Sequence, residues 1–251
     1  MSEEVSLKMG WKGRFKVKAG YKVKICGTTN MQDALLAARA GADYFGVVVE
    51  VDFSPRSLTI EAAAELFSSP PIPAVALVFQ MAEERLYVLA EKLRPFAIQF
   101  LSQEPPELIG KLKQVFPNIQ LWQSIHLPQA GNVVHLPDIK RTVAEYLQAG
   151  VDLILYDTAA TVNGVHKFGG TGLCSDWDSV IALMREIKSN VPVLLAGGIN
   201  PENAADAIMA VNPDGIDLCS GVELVRGKKD AAKVEALMKT VKEIEWKRRN
   251  L

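Results

Sequence analysis

The sequence predicts an α/β protein built as a single (β/α)8 TIM barrel with a short N-terminal extension. Three observations point there. Apolar runs of strand length alternate eight times with amphipathic helical segments. The runs are apolar on both faces, as strands of a parallel sheet covered on each side must be. No GxGxxG follows the first run, which removes the usual signature of a dinucleotide-binding sheet. Alternation by itself also permits an open doubly wound sheet, but eight units favour closure.

In chain order the predicted strands are Val23–Cys26, Tyr44–Val49, Ala74–Phe79, Phe96–Phe100, Ile119–Ile125, Leu153–Tyr156, Val193–Ala196 and Ile216–Leu218. The helices between them are Met31–Ala40, Ile60–Phe67, Ala82–Leu93, Pro106–Val115, Ile139–Ala149, Trp177–Lys188, Pro201–Val211 and Asp230–Arg248. A local repeat supports short helix-to-strand turns: Ala40-Gly41-Ala42-Asp43 and Ala149-Gly150-Val151-Asp152 each end a helix on glycine and enter a strand through aspartate. Residues 1–21 form the extension and 22–251 the barrel. The segment from His126 to Pro137 is long for a barrel loop and reads as a lid or an insertion.

A chain of 251 residues, 49% of them hydrophobic, can bury one sizeable core. A net charge of -1 provides no field to recruit nucleic acid or a membrane surface. No apolar run approaches the ~20 residues of a membrane span, and the polar start Met1-Ser2-Glu3-Glu4 lacks a signal-peptide core. Cys26, Cys174 and Cys219 are odd in number and widely spaced, which suits reduced thiols in a cytoplasmic protein. His126, His135 and His166 have no metal-ligand spacing with the cysteines, so a zinc site is not expected. The leader from Val5 to Tyr21 interleaves Lys8, Lys12, Arg14, Lys16 and Lys18 with Trp11 and Phe15. It reads as an exposed extension before it reads as an arm for nucleic acid or anionic lipid.

Barrels keep their chemistry at the C-terminal ends of their strands. Cys26 ends the first strand and reads either as a base or nucleophile or as a small buried apolar residue. Arg56 follows the second, as a clamp for a carboxylate or as a solvated loop residue. Asp157 ends the sixth, as an acid, a base, a metal ligand or a cap. Acid duty at neutral pH would need its pKa raised from about 3.9. Gly197-Gly198 and Ser220-Gly221 end the last two strands, where backbone amides often hold phosphate. Together these residues fit metal-free proton transfer on a phosphorylated substrate that carries a carboxylate.

The blocks that hold these residues resemble the phosphoribosylanthranilate isomerase family, (β/α)8 barrels of tryptophan biosynthesis. They are Lys24-Ile25-Cys26-Gly27-Thr28-Thr29-Asn30, Asp33-Ala34, Gly41-Ala42-Asp43, Ser54-Pro55-Arg56, Asp157-Thr158, Gly169-Gly170-Thr171-Gly172 and Asp176-Trp177. Gly197 to Asn203, Ser220-Gly221-Val222-Glu223 and Gly227-Lys228-Lys229-Asp230 complete the series. The resemblance implies a cofactor-free Amadori rearrangement of N-(5'-phosphoribosyl)anthranilate into an aminoketose. Asp157 would be the general acid, Cys26 the general base and Arg56 the carboxylate site. The backbone around Gly197, Gly198, Ser220 and Gly221 would hold the phosphate. An ordinary thiol is only a few per cent ionised at neutral pH, so a field that lowers the pKa of Cys26 is expected. The phosphorylated substrate is the expected partner, with the chain a monomer or homodimer.

The chain also departs from the family pattern. Leu101 stands in place of a histidine, Leu173 in place of a lysine, and Cys219 where serine is common. Each lost hydrogen bond to a charged group is worth roughly 1.5–3 kcal/mol. The alternatives are therefore a barrel isomerase for a different phosphorylated metabolite, or a binding module with the leader as docking arm.

Overall fold

The apolar runs lie side by side in parallel and close on themselves. In the computed structural model, which describes residues 20–128, 135–162, 165–168, 177–187 and 189–250, the barrel strands are β1 (Lys22–Ile25), β2 (Tyr44–Val49), β3 (Ala74–Val78), β4 (Ala97–Phe100), β5 (Gln120–Pro128), β6 (Leu153–Val162), β7 (Val193–Leu195) and β8 (Gly215–Leu218). Each pairs with its sequence neighbour, and β1 pairs with both β2 (Ile25 opposite Phe45) and β8 (Ile25 opposite Leu218), which closes the ring. Around it run α1 (Met31–Ala40), α2 (Ile60–Ser68), α3 (Glu83–Leu93), α4 (Pro106–Val115), α5 (Leu136–Ala149), α6 (Trp177–Glu186), α7 (Ala204–Val211) and α8 (Ala231–Asn250).

The glycine–aspartate repeat has a structural purpose at both of its parts. Gly41 and Gly150 end α1 and α5 at φ 100° and 93°, a left-handed backbone that side chains resist. The aspartate then reaches sideways to the start of the neighbouring strand. Asp43 accepts from the Val23 amide at 2.9 Å and Asp152 from the Leu121 amide at 2.8 Å. Asp214, before β8, does the same for Val193 at 2.9 Å. These carboxylates take up N–H groups at the bottom of the barrel, where the ladder has no partner for them.

Strand alternation divides the apolar residues into two cores. Outward side chains such as Val23, Ile25, Phe45 and Ile98 pack under the helices. Inward ones, including Val75, Leu77, Ala97, Trp122, Leu155 and Leu194, fill the barrel together with Cys26. An ion pair sits among them: Lys24 Nζ lies 2.8 Å from Asp217 Oδ2, with the two side chains 0% and 8% exposed. Burial works against the Lys24 charge, but Asp217 outweighs it and the ammonium is held more firmly protonated than in water. Gly46 makes the room, since a Cβ there would come within 3.0 Å of Lys24 Cε and 3.1 Å of the Cys26 sulfur.

Two strands run further than the sequence predicts. β5 and β6 stay paired past the rim, with His126 opposite Asp157, Leu127 opposite Thr158 and Pro128 opposite Ala159. Val165–Phe168 then returns antiparallel on β6. The loop expected from His126 therefore starts later, and Pro137 already belongs to the first turn of α5; residues 129–134 lie outside the described residues. Pro128 does not break the ladder because it stands at a strand end. The leader, through residue 19, is likewise outside the described residues. Tyr21 anchors the chain where the barrel begins: its amide donates to Glu245 Oε1 at 2.7 Å, and Arg248 lies over its ring at 5.1 Å.

Removing one partner of a buried ion pair strands the other charge, at a cost of roughly 3–5 kcal/mol. Lys24→Ala is expected to lower the urea unfolding free energy by about that amount, while Lys24→Met with Asp217→Leu recovers most of it.

Candidate active site

At the top of β1 the ladder continues one residue, with the Cys26 amide donating to Leu218 O at 2.7 Å. Cys26 and Cys219 thus stand next to each other at the ends of β1 and β8. Both are free thiols, Cys26 6% exposed and Cys219 half-buried. Cys219 packs against the inner cluster that holds Cys26, and its sulfur donates to Glu223 Oε1 at 4.0 Å. The neighbouring Cys219 thiol pushes the Cys26 pKa well up, and burial adds to the effect, although the Lys24 charge opposes it. The neighbouring Cys26 thiol brings the Cys219 thiol below the ordinary range, with Lys229 and Arg56 helping against burial and against the Glu223 carboxylate. The expected lowering of Cys26 is therefore corrected: the favourable field is present, but it falls on its neighbour.

A carboxylate organises the rest of this corner. Glu223 follows the short 3-10 turn Ser220–Val222. It accepts from Arg56 at two points, Nε to Oε1 at 2.7 Å and Nη2 to Oε2 at 2.6 Å. The Gly227 amide and Lys229 Nζ reach Oε1 at 3.1 and 3.2 Å. Lys229, fully buried, also donates to the Cys26 carbonyl. Burial acts to raise the Glu223 carboxyl, but the Arg56 bonds and the Lys229 charge overcome it and hold it below the usual carboxylate range. In return Glu223 holds Arg56 cationic. Arg56 is thus no solvated loop residue. One edge of its guanidinium is engaged by Glu223, so an incoming anion would meet Nη1.

Asp157 lies across the barrel on β6. It does not end its strand as expected; it is the first residue past the last pairing with β7, at Tyr156–Leu195. Leu155 points inward, so Asp157 two residues on does so as well. It is 8% exposed. Because all eight strands are parallel, Asp157 and Cys26 face the same mouth. Leu101, above β4, packs against the same inner cluster. The block Gly169 to Leu173 lies outside the described residues.

Beside the thiols a cavity of about 420 Å³ is bordered by Arg56, Gly198, Asn200, Ser220, Gly221 and Glu223. Gly197 and Gly198 turn the chain at φ 87° and 65°. Asn203 Nδ2 pins the turn through Gly198 O at 2.9 Å. Gly221 cannot be anything else, because a Cβ there would stand 2.0 Å from Ile199 O. Two strand ends are thereby brought close enough for one ligand to touch both backbones. Arg56, Gly198, Ser220 and Gly221 thus meet as the sequence suggests, while Cys26 and Asp157 lie outside this cavity's lining, on the rim. Among the described residues no cluster of three or more His, Cys, Asp or Glu could hold a metal ion, and no helix is long and apolar enough to cross a membrane.

The family described as N-(5'-phosphoribosyl)anthranilate (PRA) isomerase matches residues 23–240. The chain belongs to the phosphoribosylanthranilate isomerase family. A relative in Methanocella arvoryzae, an N-(5'-phosphoribosyl)anthranilate isomerase, is 37% identical over 225 residues, covering 88% of this chain and 98% of its own. The solved phosphoribosyl anthranilate isomerase of Thermococcus kodakaraensis superposes with a TM-score of 0.71 at 30% identity, over 88% of this chain and 98% of that one. A phosphoribosyl anthranilate isomerase solved in complex with reduced 1-(o-carboxyphenylamino)-1-deoxyribulose 5-phosphate gives 0.67 at 26% identity, over 89% and 99%. Family membership accounts for the barrel and for which end carries the chemistry.

Sequence reasoning missed Glu223, Lys229, Lys24 and Asp217. Lys24 alone left a readable signal, as a charge inside an apolar strand. Glu223 gives a pH test. Its folded pKa is below the unfolded value of about 4.3, so the unfolded state binds the proton first as pH falls. Its contribution is present above that value and is lost as pH drops through the folded one. Urea midpoints of the wild type are expected to fall more steeply between about pH 5 and pH 3 than those of Glu223→Gln, which lacks this titration.

Proposed function

We propose that Asp157 and Cys26 are the general acid and general base of the family's reaction in this chain, the Amadori rearrangement of N-(5'-phosphoribosyl)anthranilate. Asp157 gives a proton to the furanose ring oxygen, and the C1′–O bond breaks to leave a protonated imine. That cation makes the C2′ proton acidic. Cys26 removes it as a thiolate, and the resulting enolamine tautomerises to the aminoketose. No atom is gained or lost and no redox partner is needed.

The observation that carries this reading is the shared mouth. A carboxyl group and a thiol, 131 residues apart in sequence, point inward at one rim of a parallel barrel beside a glycine-built cavity. A phosphate fits that cavity because close backbone approach and N–H donors suit an anion. Nη1 of Arg56 is the natural contact for the substrate carboxylate.

The thiol pair sets the pH behaviour. A base with a raised pKa is mostly protonated at neutral pH, so kcat/KM is expected to climb on the alkaline side, beyond the ordinary thiol value of about 8.5. In Cys219→Ser a hydroxyl can donate to the Cys26 thiolate without competing for charge, and the limb shifts to lower pH. General acid–base residues typically contribute about 10²–10⁴ in rate. Asp157→Asn and Cys26→Ser are each expected to lose that much kcat/KM in an assay for loss of N-(5'-phosphoribosyl)anthranilate. Rates equal to wild type in both variants would reject the roles. Leu101→His, which puts a donor back at the mouth, is expected to raise kcat/KM roughly tenfold; no gain would favour a less polar substrate.

A further inference from the structure

The mechanism uses one thiol, yet two stand at the mouth. We propose that Cys26 and Cys219 form a reversible intramolecular disulfide on exposure to a peroxide, which makes this rim a redox-modification site.

Geometry comes first. β1 and β8 are adjacent parallel strands with Ile25 directly opposite Leu218, and Cys26 and Cys219 are the next residue on each. Neighbouring strands lie about 4.8 Å apart, within the ~4.4–6.8 Å Cα separation that a disulfide spans. Both side chains face the barrel interior, Cys26 within the inner cluster and Cys219 packed against it. Gly27 keeps the space around them open: a Cβ there would stand 2.7 Å from the Cys219 sulfur and 2.6 Å from Arg56 Cδ.

Chemistry then assigns the order of events. A thiolate attacks peroxide and a thiol does not. Cys219 is the partly exposed member of the pair, and Arg56 and Lys229 favour its charge against burial and the Glu223 carboxylate 4.0 Å away. Cys219 S⁻ attacks one peroxide oxygen, an S–O bond forms, the O–O bond breaks and hydroxide leaves. Sulfur is oxidised by two electrons and peroxide is reduced. Cys26 sulfur then attacks the Cys219 sulfenic acid; the S–O bond breaks, the S–S bond forms, and the Cys26 proton leaves with the hydroxyl as water. In sum two thiols and one peroxide become one disulfide and two waters. Cys26 in that state has no proton-accepting sulfur. The loss of catalysis this implies rests on the isomerase reading; the disulfide does not.

The test treats the full chain with hydrogen peroxide, then dithiothreitol, and reads free thiols, intact mass and proteolytic peptides. The expected result is the loss of two thiols per chain, a peptide linking residues 26 and 219, and full return on reduction. Cys174→Ser, which removes the remaining cysteine, should behave like the wild type, whereas Cys219→Ser and Cys26→Ser should give no crosslinked peptide. Linkage to Cys174 or to a second chain would overturn the proposal, as would direct oxidation of Cys26 to sulfinic acid or thiols that stay reduced. Isomerase activity, followed on the same samples, should fall in step with the crosslink and recover with it. A crosslink in a protein that showed no activity before oxidation would reject the isomerase reading and leave the disulfide standing.

Discussion

One buried carboxylate holds this corner of the barrel mouth together. Glu223 takes both donors from one edge of Arg56, the Gly227 amide and the Lys229 ammonium. Through Lys229 it is tied to the carbonyl of Cys26, and so to the end of β1. A charge buried this far is tolerable only when it is fully partnered. That requirement brings together residues from the loop after β2, from the segment after β8 and from the end of β1. Without Glu223, Arg56 and Lys229 would be two buried cations with no anion between them.

The same requirement explains why the field at the mouth does not simply activate Cys26. Lys229 and Arg56 are placed by Glu223, which follows β8. Cys219 feels them directly. Cys26 feels Lys24, whose charge is already balanced by Asp217 at 2.8 Å. Two neighbouring thiols then divide a single favourable site for a negative charge.

Much of the barrel was readable in advance. Tyr44–Val49, Met31–Ala40 and Pro106–Val115 have the predicted bounds, because strong apolar periodicity and clear end signals agree there. The extension of β5 and β6 was not readable, since pairing beyond the rim depends on what the two chains meet across the gap and not on the pattern of either. In the site, Cys26, Arg56, Asp157 and the paired glycines stood out because each follows an apolar run on the side where barrels keep their chemistry. Glu223 did not, because an acid after a glycine turn looks like any surface residue until its three partners are known.

The amino-acid sequence by itself determined the number and order of the strand–helix units, the parallel closed sheet they form, and the end of it that carries reactive groups. These follow from periodicity and turn chemistry, which are local. Only the tertiary structure decided which of the cations faces which anion, that Arg56 presents one edge and not two, and that the favourable field falls on Cys219 before Cys26. Electrostatic energies depend on distance and burial, and both are set by residues far apart in the chain.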